Sequence, residues 1–232
     1  MGVSTDLIMT DWGNVPKKEI EYLRRKLIIW YEFEGRDYPW RTTRDPYKIL
    51  IAEVMLRKTR ADQVVQIFEK FIEKYPTIAS LSDGDDEEIL EITHSLGLQW
   101  RNRTFRELAC SIISSFDGNI PANREDLIEL PGIGHYVAGM YLSSSLNKKE
   151  WIVDTNVVRV FSRFFGLQLK ERGREDKRII EIAKEYADCD NPRQANYAII
   201  DFAALVCKSK RPEHLRCPIN AKCKHYISLG EI

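Results

Sequence analysis

The sequence predicts an all-α protein. Three observations carry that reading. Apolar residues recur at spacings of three and four along most of the chain, and no stretch alternates apolar with polar residues as a half-buried strand does. Proline, glycine and acidic residues mark where the helical patterns start and stop. There is no internal repeat and no low-complexity segment.

Residues up to Val15-Pro16 read as a loosely tied tail. A helix is predicted over Lys17 to Phe33, with Ile20, Leu23, Leu27 and Trp30 on one face. Gly35 to Pro46 reads as a loop, and Pro46 as the first residue of a very apolar helix over Tyr47 to Arg57. Ala61 to Tyr75 is amphipathic. Val64, Phe68, Phe71 and Ile72 face inward, Glu69, Lys70, Glu73 and Lys74 face solvent, and Pro76 ends the pattern. Asp83 to Asp86 supplies acidic start signals for a helix running to Ser95, closed by Leu96-Gly97-Leu98. Trp100 to Ser115 follows, carrying Arg101, Arg103 and Arg106, and Asp117-Gly118 is a turn. The remaining predicted helices are Asn123 to Glu129, His135 to Leu142, Thr155 to Phe165, Arg178 to Tyr186 and Arg193 to Val206. Glu171 to Lys177 is a charged connection.

At 232 residues the chain suits one compact unit or two intertwined ones. Lys plus Arg and Asp plus Glu both number 35, so overall charge points to no partner, and any nucleic-acid footprint must be local. Five cysteines, an odd number with three near the C-terminus, argue against a secreted disulfide framework and for a metal site inside the cell. No membrane-length apolar run or signal-like leader occurs, so a soluble cytoplasmic or nucleoid protein is expected, with no membrane partner.

The chemistry concentrates between 127 and 160. Leu130-Pro131-Gly132-Ile133-Gly134 lies between two helical patterns, and glycines on either side of one apolar residue let the backbone turn sharply. Such a turn leaves N–H groups at the start of the next helix, where the dipole favours an anion such as a nucleic-acid phosphate. The same motif also fits a plain helix–turn–helix corner. Twenty residues after Gly134, Asp154 ends the apolar run Trp151-Ile152-Val153 and precedes a helix start. It reads either as a helix N-cap or as a carboxylate facing a sugar carbon that becomes cationic. Glu53 sits inside Ile49-Leu50-Ile51-Ala52-Glu53-Val54-Met55-Leu56, where a carboxylate is costly unless it is paired, solvent-facing or used.

Together these residues resemble the helix-hairpin-helix DNA glycosylase superfamily, in the endonuclease III and adenine glycosylase branch. The resemblance spans roughly residues 36 to 226. Asp-Pro-Tyr, Glu53-Val-Met-Leu and Arg57-Lys58-Thr59 look most like the mismatch-specific thymine DNA glycosylases. It implies a six-helix barrel domain over 37–148, and a discontinuous second domain from 1–36 plus 149–232 that ends in a metal loop at 207–223. DNA is expected to bind across the cleft, with Glu53, Tyr136 and Asp154 converging there as catalytic residues. Gly132, Gly134 and His135 are expected at the phosphate, and Arg57, Lys58 and Tyr197 at the gap and the unpaired partner base.

The family's iron–sulfur loop is spaced C-x6-C-x2-C-x5-C. Cys207, Cys217 and Cys223 fall on its first, third and fourth positions, and His214 takes the second. The resemblance implies a [4Fe-4S] cluster with a structural role. The Cys3His set also fits tetrahedral zinc, or no metal at all. From Lys208 to Lys224 six Lys/Arg residues face one acidic residue, a patch suited to phosphate.

Tyr136 stands where the bifunctional relatives carry lysine. It reads either as a packing aromatic or as the mark of an enzyme without efficient strand-nicking activity, since a phenol cannot form an imine. The expected function is therefore monofunctional excision of thymine or uracil opposite guanine, from mismatched double-stranded DNA, by a monomer. The chain also ends nine residues beyond Cys223, whereas adenine glycosylases usually continue into a further domain. Removal of adenine opposite guanine or 8-oxoguanine is the alternative enzyme. A helix-hairpin-helix module that only binds DNA is the alternative of another class.

Overall fold

Helix formation follows the caps. Asp45 accepts hydrogen bonds from the Tyr47 and Lys48 N–H groups, and Pro46 opens α3 (Pro46–Met55) with its φ already set. In the computed structural model, which describes residues 15–97, 100–169 and 173–230, α3 is buried from Ile49 through Met55. Most of the expected N-terminal tail, Leu98, the start of the 171–177 connection and the side chain of Arg101 lie outside the described residues.

All regular secondary structure among the described residues is helical, with no strand among them. They divide into two compact units, one of Met1–Arg36 with Lys149–Ile232, the other of Asp37–Lys148. The 37–148 unit contains six helices of six residues or more. These are α3, α4 (Ala61–Lys74), α6 (Asp86–Thr93), α7 (Trp100–Phe116), α8 (Arg124–Glu129) and α9 (His135–Leu146). Two short helices, α2 (Pro39–Thr42) and α5 (Ile78–Ser82), stand where no helix was expected. Four or five residues are too few for a periodic pattern to register.

Helix α3 packs on α9, which is itself buried from Val137 to Ser144. Ala138 and Gly139 keep that face small, and the Ser143 hydroxyl turns back onto the Gly139 carbonyl at 2.8 Å, so its polar atom is satisfied inside the core. Trp40, Phe68, Phe71 and Phe105 fill the centre. On α4 the inward position expected of Ile72 is only half-buried, whereas Ile67 is part of the core. The acidic run before α6 serves two helices: Asp83 closes α5, and Asp85 caps α6.

In the other unit, α1 (Lys17–Glu34) lays Ile20, Leu23 and Leu27 against α11 (Lys177–Ala187) and α12 (Pro192–Leu205). Trp30 meets Phe202 edge-on at 5.7 Å. Helix α10 (Thr155–Phe165) buries Val157, Val160, Phe161 and Phe164, and packs on α12 and on the short α13 (Lys224–Ser228). Asp201 on α12 has no exposure, and its charge is balanced by Arg36 through bonds of 2.7 Å from the backbone N–H and 2.8 and 2.6 Å from the guanidinium. Removing Arg36 takes the cation from the buried Asp201 carboxylate, a loss on the order of 3–5 kcal/mol. Among the described residues no helix is long and apolar enough to cross a membrane.

Candidate DNA-repair site

The turn between α8 and α9 is built by backbone needs. Leu130 and Ile133 are buried, and the Ile133 N–H donates to the Leu130 carbonyl at 3.1 Å, which closes the turn. Gly132 between them has φ +80, a conformation strained for side-chain-bearing residues. A Cβ there would also lie 2.3 Å from the Thr104 methyl. Gly134 is the N-cap of α9 and supplies no side-chain cap; nothing lies within 4 Å of where its Cβ would be. His135 is exposed beside it, and Tyr136 is half-buried against the core of the unit. An uncapped helix start with open space in front of it suits an incoming anion.

The loop after α3 supports this turn. Arg57, just beyond α3, donates from Nη1 to the Gly132 carbonyl at 2.8 Å. Lys58 follows with φ +58, and Thr59 donates its hydroxyl to the Leu96 carbonyl at 2.9 Å. Glu53 is buried on α3, one turn before this loop, with 2 % exposure. Burial pushes its carboxyl up to about 7, and the Arg41 guanidinium of α2 opposes that shift. The solvent-facing reading of Glu53 is thereby excluded. Arg41 was not legible as its charge neighbour, because α2 reads as loop in the sequence. Arg106 is on the solvent-facing side of α7, where it reaches the Asp86 carboxylate at 3.5 Å and the Ser82 carbonyl at 3.2 Å.

In the other unit Asp154 is the N-cap of α10. Its Oδ1 accepts the N–H groups of Asn156 and Val157, both at 2.8 Å, and Oδ2 accepts the Asn156 side-chain amide at 2.7 Å. The carboxylate is half-buried, so capping and solvent access coexist. The Asn156 amide oxygen in turn accepts from Arg159 at 3.1 Å, and Arg159 donates to the carbonyls of Cys207 and Ala203, both at 2.9 Å. One turn on, Arg163 binds the Lys208 and Ser209 carbonyls at 2.8 and 3.1 Å. The two arginines stand four apart on an otherwise inward-packed helix, but their carbonyl partners more than forty residues away leave no trace in the sequence. Tyr197, expected at the partner base, is instead buried on α12 with the Arg193 guanidinium 5.6 Å from its ring centre, so it packs in the core and does not present its side chain to a base.

Cys207, His214, Cys217 and Cys223 line one small cavity, together with His225, Tyr226 and Arg163. His225 was not anticipated; its ring centre lies 6.1 Å from that of His214. Burial pushes the Cys217 thiol up to about 11, with the neighbouring Cys223 and Cys207 thiols adding to the shift. Burial and Cys207 likewise push Cys223 up. Three thiols and a histidine line this cavity, Cys223 buried and Cys207 and Cys217 half-buried, and a cation that binds thiolates relieves the disfavoured ionisation of Cys217 and Cys223, so the donor set fits a metal group. Among the described residues, no three His, Cys, Asp or Glu side chains already stand at coordinating distance of a single ion. In the basic stretch, Lys208 pairs with Glu213 at 2.7 Å and Arg216 with Glu34 at 3.2 Å.

Among the described residues all regular structure is helical, and a glycine turn stands ahead of an uncapped helix, as expected of a helix-hairpin-helix protein. Residues 51–185 match the HhH-GPD superfamily of base excision DNA repair proteins. The chain is 37 % identical over 215 residues to a thymine-DNA glycosylase of Aeropyrum pernix, covering 90 % of this chain and 96 % of that one. It is 36 % identical to a thymine/uracil-DNA glycosylase of Pyrobaculum aerophilum, covering 88 % and 91 %. Its fold is similar to the solved structure of a thermostable thymine-DNA glycosylase, with a TM-score of 0.87, 31 % identity, and 93 % and 100 % coverage. The chain belongs to the HhH-GPD superfamily.

Proposed function

We propose that this protein is a monofunctional DNA glycosylase that everts thymine or uracil mispaired with guanine in double-stranded DNA and hydrolyses its glycosidic bond. The observation that carries the reading is the Asp154 carboxylate, oriented by three hydrogen bonds at the mouth of α10. Relatives named for thymine and uracil excision, alike along nine-tenths of the chain, support it.

The bond from C1′ to the base is out of reach inside a duplex, so the nucleotide must leave the stack, and a mispair lowers that cost. As the bond breaks, its electron pair departs with the base and positive charge builds on the sugar. Asp154 stabilises that charge and directs water to C1′. Glu53, whose carboxyl changes charge near neutral pH, shares a proton with the departing base. The N–H groups of Gly134 and His135, at the start of α9, hold a phosphate. Lys58 enters the space left by the base. Tyr136 offers no amine, so no imine with the sugar forms, and the product is an intact strand with an abasic site.

Cys207, His214, Cys217 and Cys223 hold a [4Fe-4S] cluster in this reading. Its contribution is to fix a loop too poor in apolar residues to order itself. The enzyme acts as a monomer on DNA inside the cell.

The test is excision from labelled duplexes bearing T/G, U/G, A/G or A/8-oxoguanine, run with and without alkali. Alkali-dependent breaks at T/G and U/G are expected. Breaks confined to the adenine duplexes would transfer the function to adenine excision. Breaks before alkali would contradict the role given to Tyr136, and no breaks at all would leave only DNA binding.

A further inference from the structure

We infer that Arg57 is a positioning residue: it fixes the turn carrying Lys58 onto the phosphate-holding hairpin and does not itself read the partner base. The inference rests on the proposed glycosylase reading and revises the role the sequence assigned to Arg57. Its guanidinium donates to the Gly132 carbonyl at 2.8 Å and lies 3.4 Å from where a Gly132 Cβ would be, so it covers the outer face of that glycine. The same peptide unit offers its N–H, from Ile133, to the Leu130 carbonyl at 3.1 Å. Both polar groups of the 132–133 peptide are thus engaged. A fixed peptide at that point sets the direction of the following N–H groups at Gly134 and His135, which meet the phosphate.

The other end of the loop is tied separately, through the Thr59 hydroxyl on the Leu96 carbonyl at 2.9 Å. Lys58 stands between the two ties in the left-handed region, φ +58, which a lysine adopts only when its surroundings impose it. The two anchors supply that imposition. The distance between the phosphate grip and the Lys58 side chain is therefore set by the Arg57 bond, and a guanidinium committed to a backbone carbonyl has fewer donors for a base edge.

The experiment compares wild type with Arg57→Gln, Arg57→Lys and Lys58→Gln. It measures affinity for a fully matched duplex, single-turnover excision from T/G, and the ratio of excision of T opposite G to T opposite other bases. Thermal unfolding of each variant verifies the fold. Arg57→Gln is expected to weaken matched-duplex binding by roughly tenfold, the scale of one lost charge-assisted hydrogen bond, with the discrimination ratio unchanged. Arg57→Lys, which keeps one donor, is expected to recover part of that loss, and Lys58→Gln to change the ratio. A changed ratio in Arg57→Gln with matched-duplex affinity retained would overturn the inference. If Arg57→Gln does not fold, the same comparison is read from Arg57→Lys against Lys58→Gln. Because matched-duplex binding needs no excision, a wild type that cuts no mispair would sink the glycosylase reading and leave the positioning role decided by affinity.

Discussion

Asn156 holds Asp154 twice, by its backbone N–H on one carboxylate oxygen at 2.8 Å and by its side-chain amide on the other at 2.7 Å. Both oxygens are thereby fixed in direction. Asn156→Ala keeps the backbone bond and removes the second one, so the carboxylate gains rotational freedom. Excision of thymine from T/G is expected to slow by about ten- to a hundredfold, the range for a misplaced catalytic group, with DNA affinity unchanged. Single-turnover rates beside binding curves measure this, and an unaltered rate would show that the amide bond does not orient the carboxylate.

Glu53 makes stability depend on pH in a stated direction. Burial raises its carboxyl from its ordinary 4.5 to about 7. An acid with the higher value in the folded chain binds more protons when folded, so stability falls as pH rises from about 4.5 to about 7 and stays lower above that. The full effect is about 3 kcal/mol as an upper bound. Glu53→Gln removes the titration, so its melting temperature is expected to exceed that of wild type increasingly between pH 5 and pH 8. A gap that does not change with pH would mean that Glu53 is already charged in the folded protein at pH 5.

The two glycines of the hairpin separate folding from binding. Gly132→Ala forces a Cβ into the Thr104 methyl at 2.3 Å and a strained φ of +80, so a loss of about 1–3 kcal/mol is expected. Gly134→Ala meets open space at an ordinary φ and is expected to melt as wild type does. Its methyl nevertheless stands at the phosphate-facing helix start, so matched-duplex affinity is expected to fall. Equal melting of the two variants would contradict the steric account, and unchanged DNA affinity in Gly134→Ala would remove the hairpin from the interface.

The long helices were legible because burial imposes their period. Helix α10 runs over the predicted Thr155 to Phe165 and buries Val157, Val160, Phe161 and Phe164 at spacings of three and four. Helix α3 stops at Met55, not at Arg57, because Lys58 leaves the right-handed region to bring Arg57 onto the hairpin, a long-range demand invisible in local spacing. Glu53 could be singled out from the apolar run around it, and Asp154 from its place before a helix start. What supports them could not. Arg41 acts from a four-residue helix, and Arg159 joins the Asp154 cap to a carbonyl 48 residues away.

The cysteine loop yields a separate chemical prediction. Protein purified without oxygen is expected to be yellow-brown and to contain iron and sulfide in about equal amounts. His214→Ala is expected to lower the retained iron, and α10 and the 207–223 loop, joined by Arg159 and Arg163, to become more open to proteolysis together. A colourless protein carrying zinc, or no metal, would replace the cluster with a different staple.

The central claim is tested most directly by single-turnover excision of thymine from a T/G duplex by wild type and by Asp154→Asn. Asparagine is also a good helix cap, so the variant is expected to fold and to bind DNA as wild type does. The predicted result is a rate lower by about a thousandfold or more, because the charge opposite the developing cation is gone. Asp154→Asn excising thymine at the wild-type rate would contradict the account.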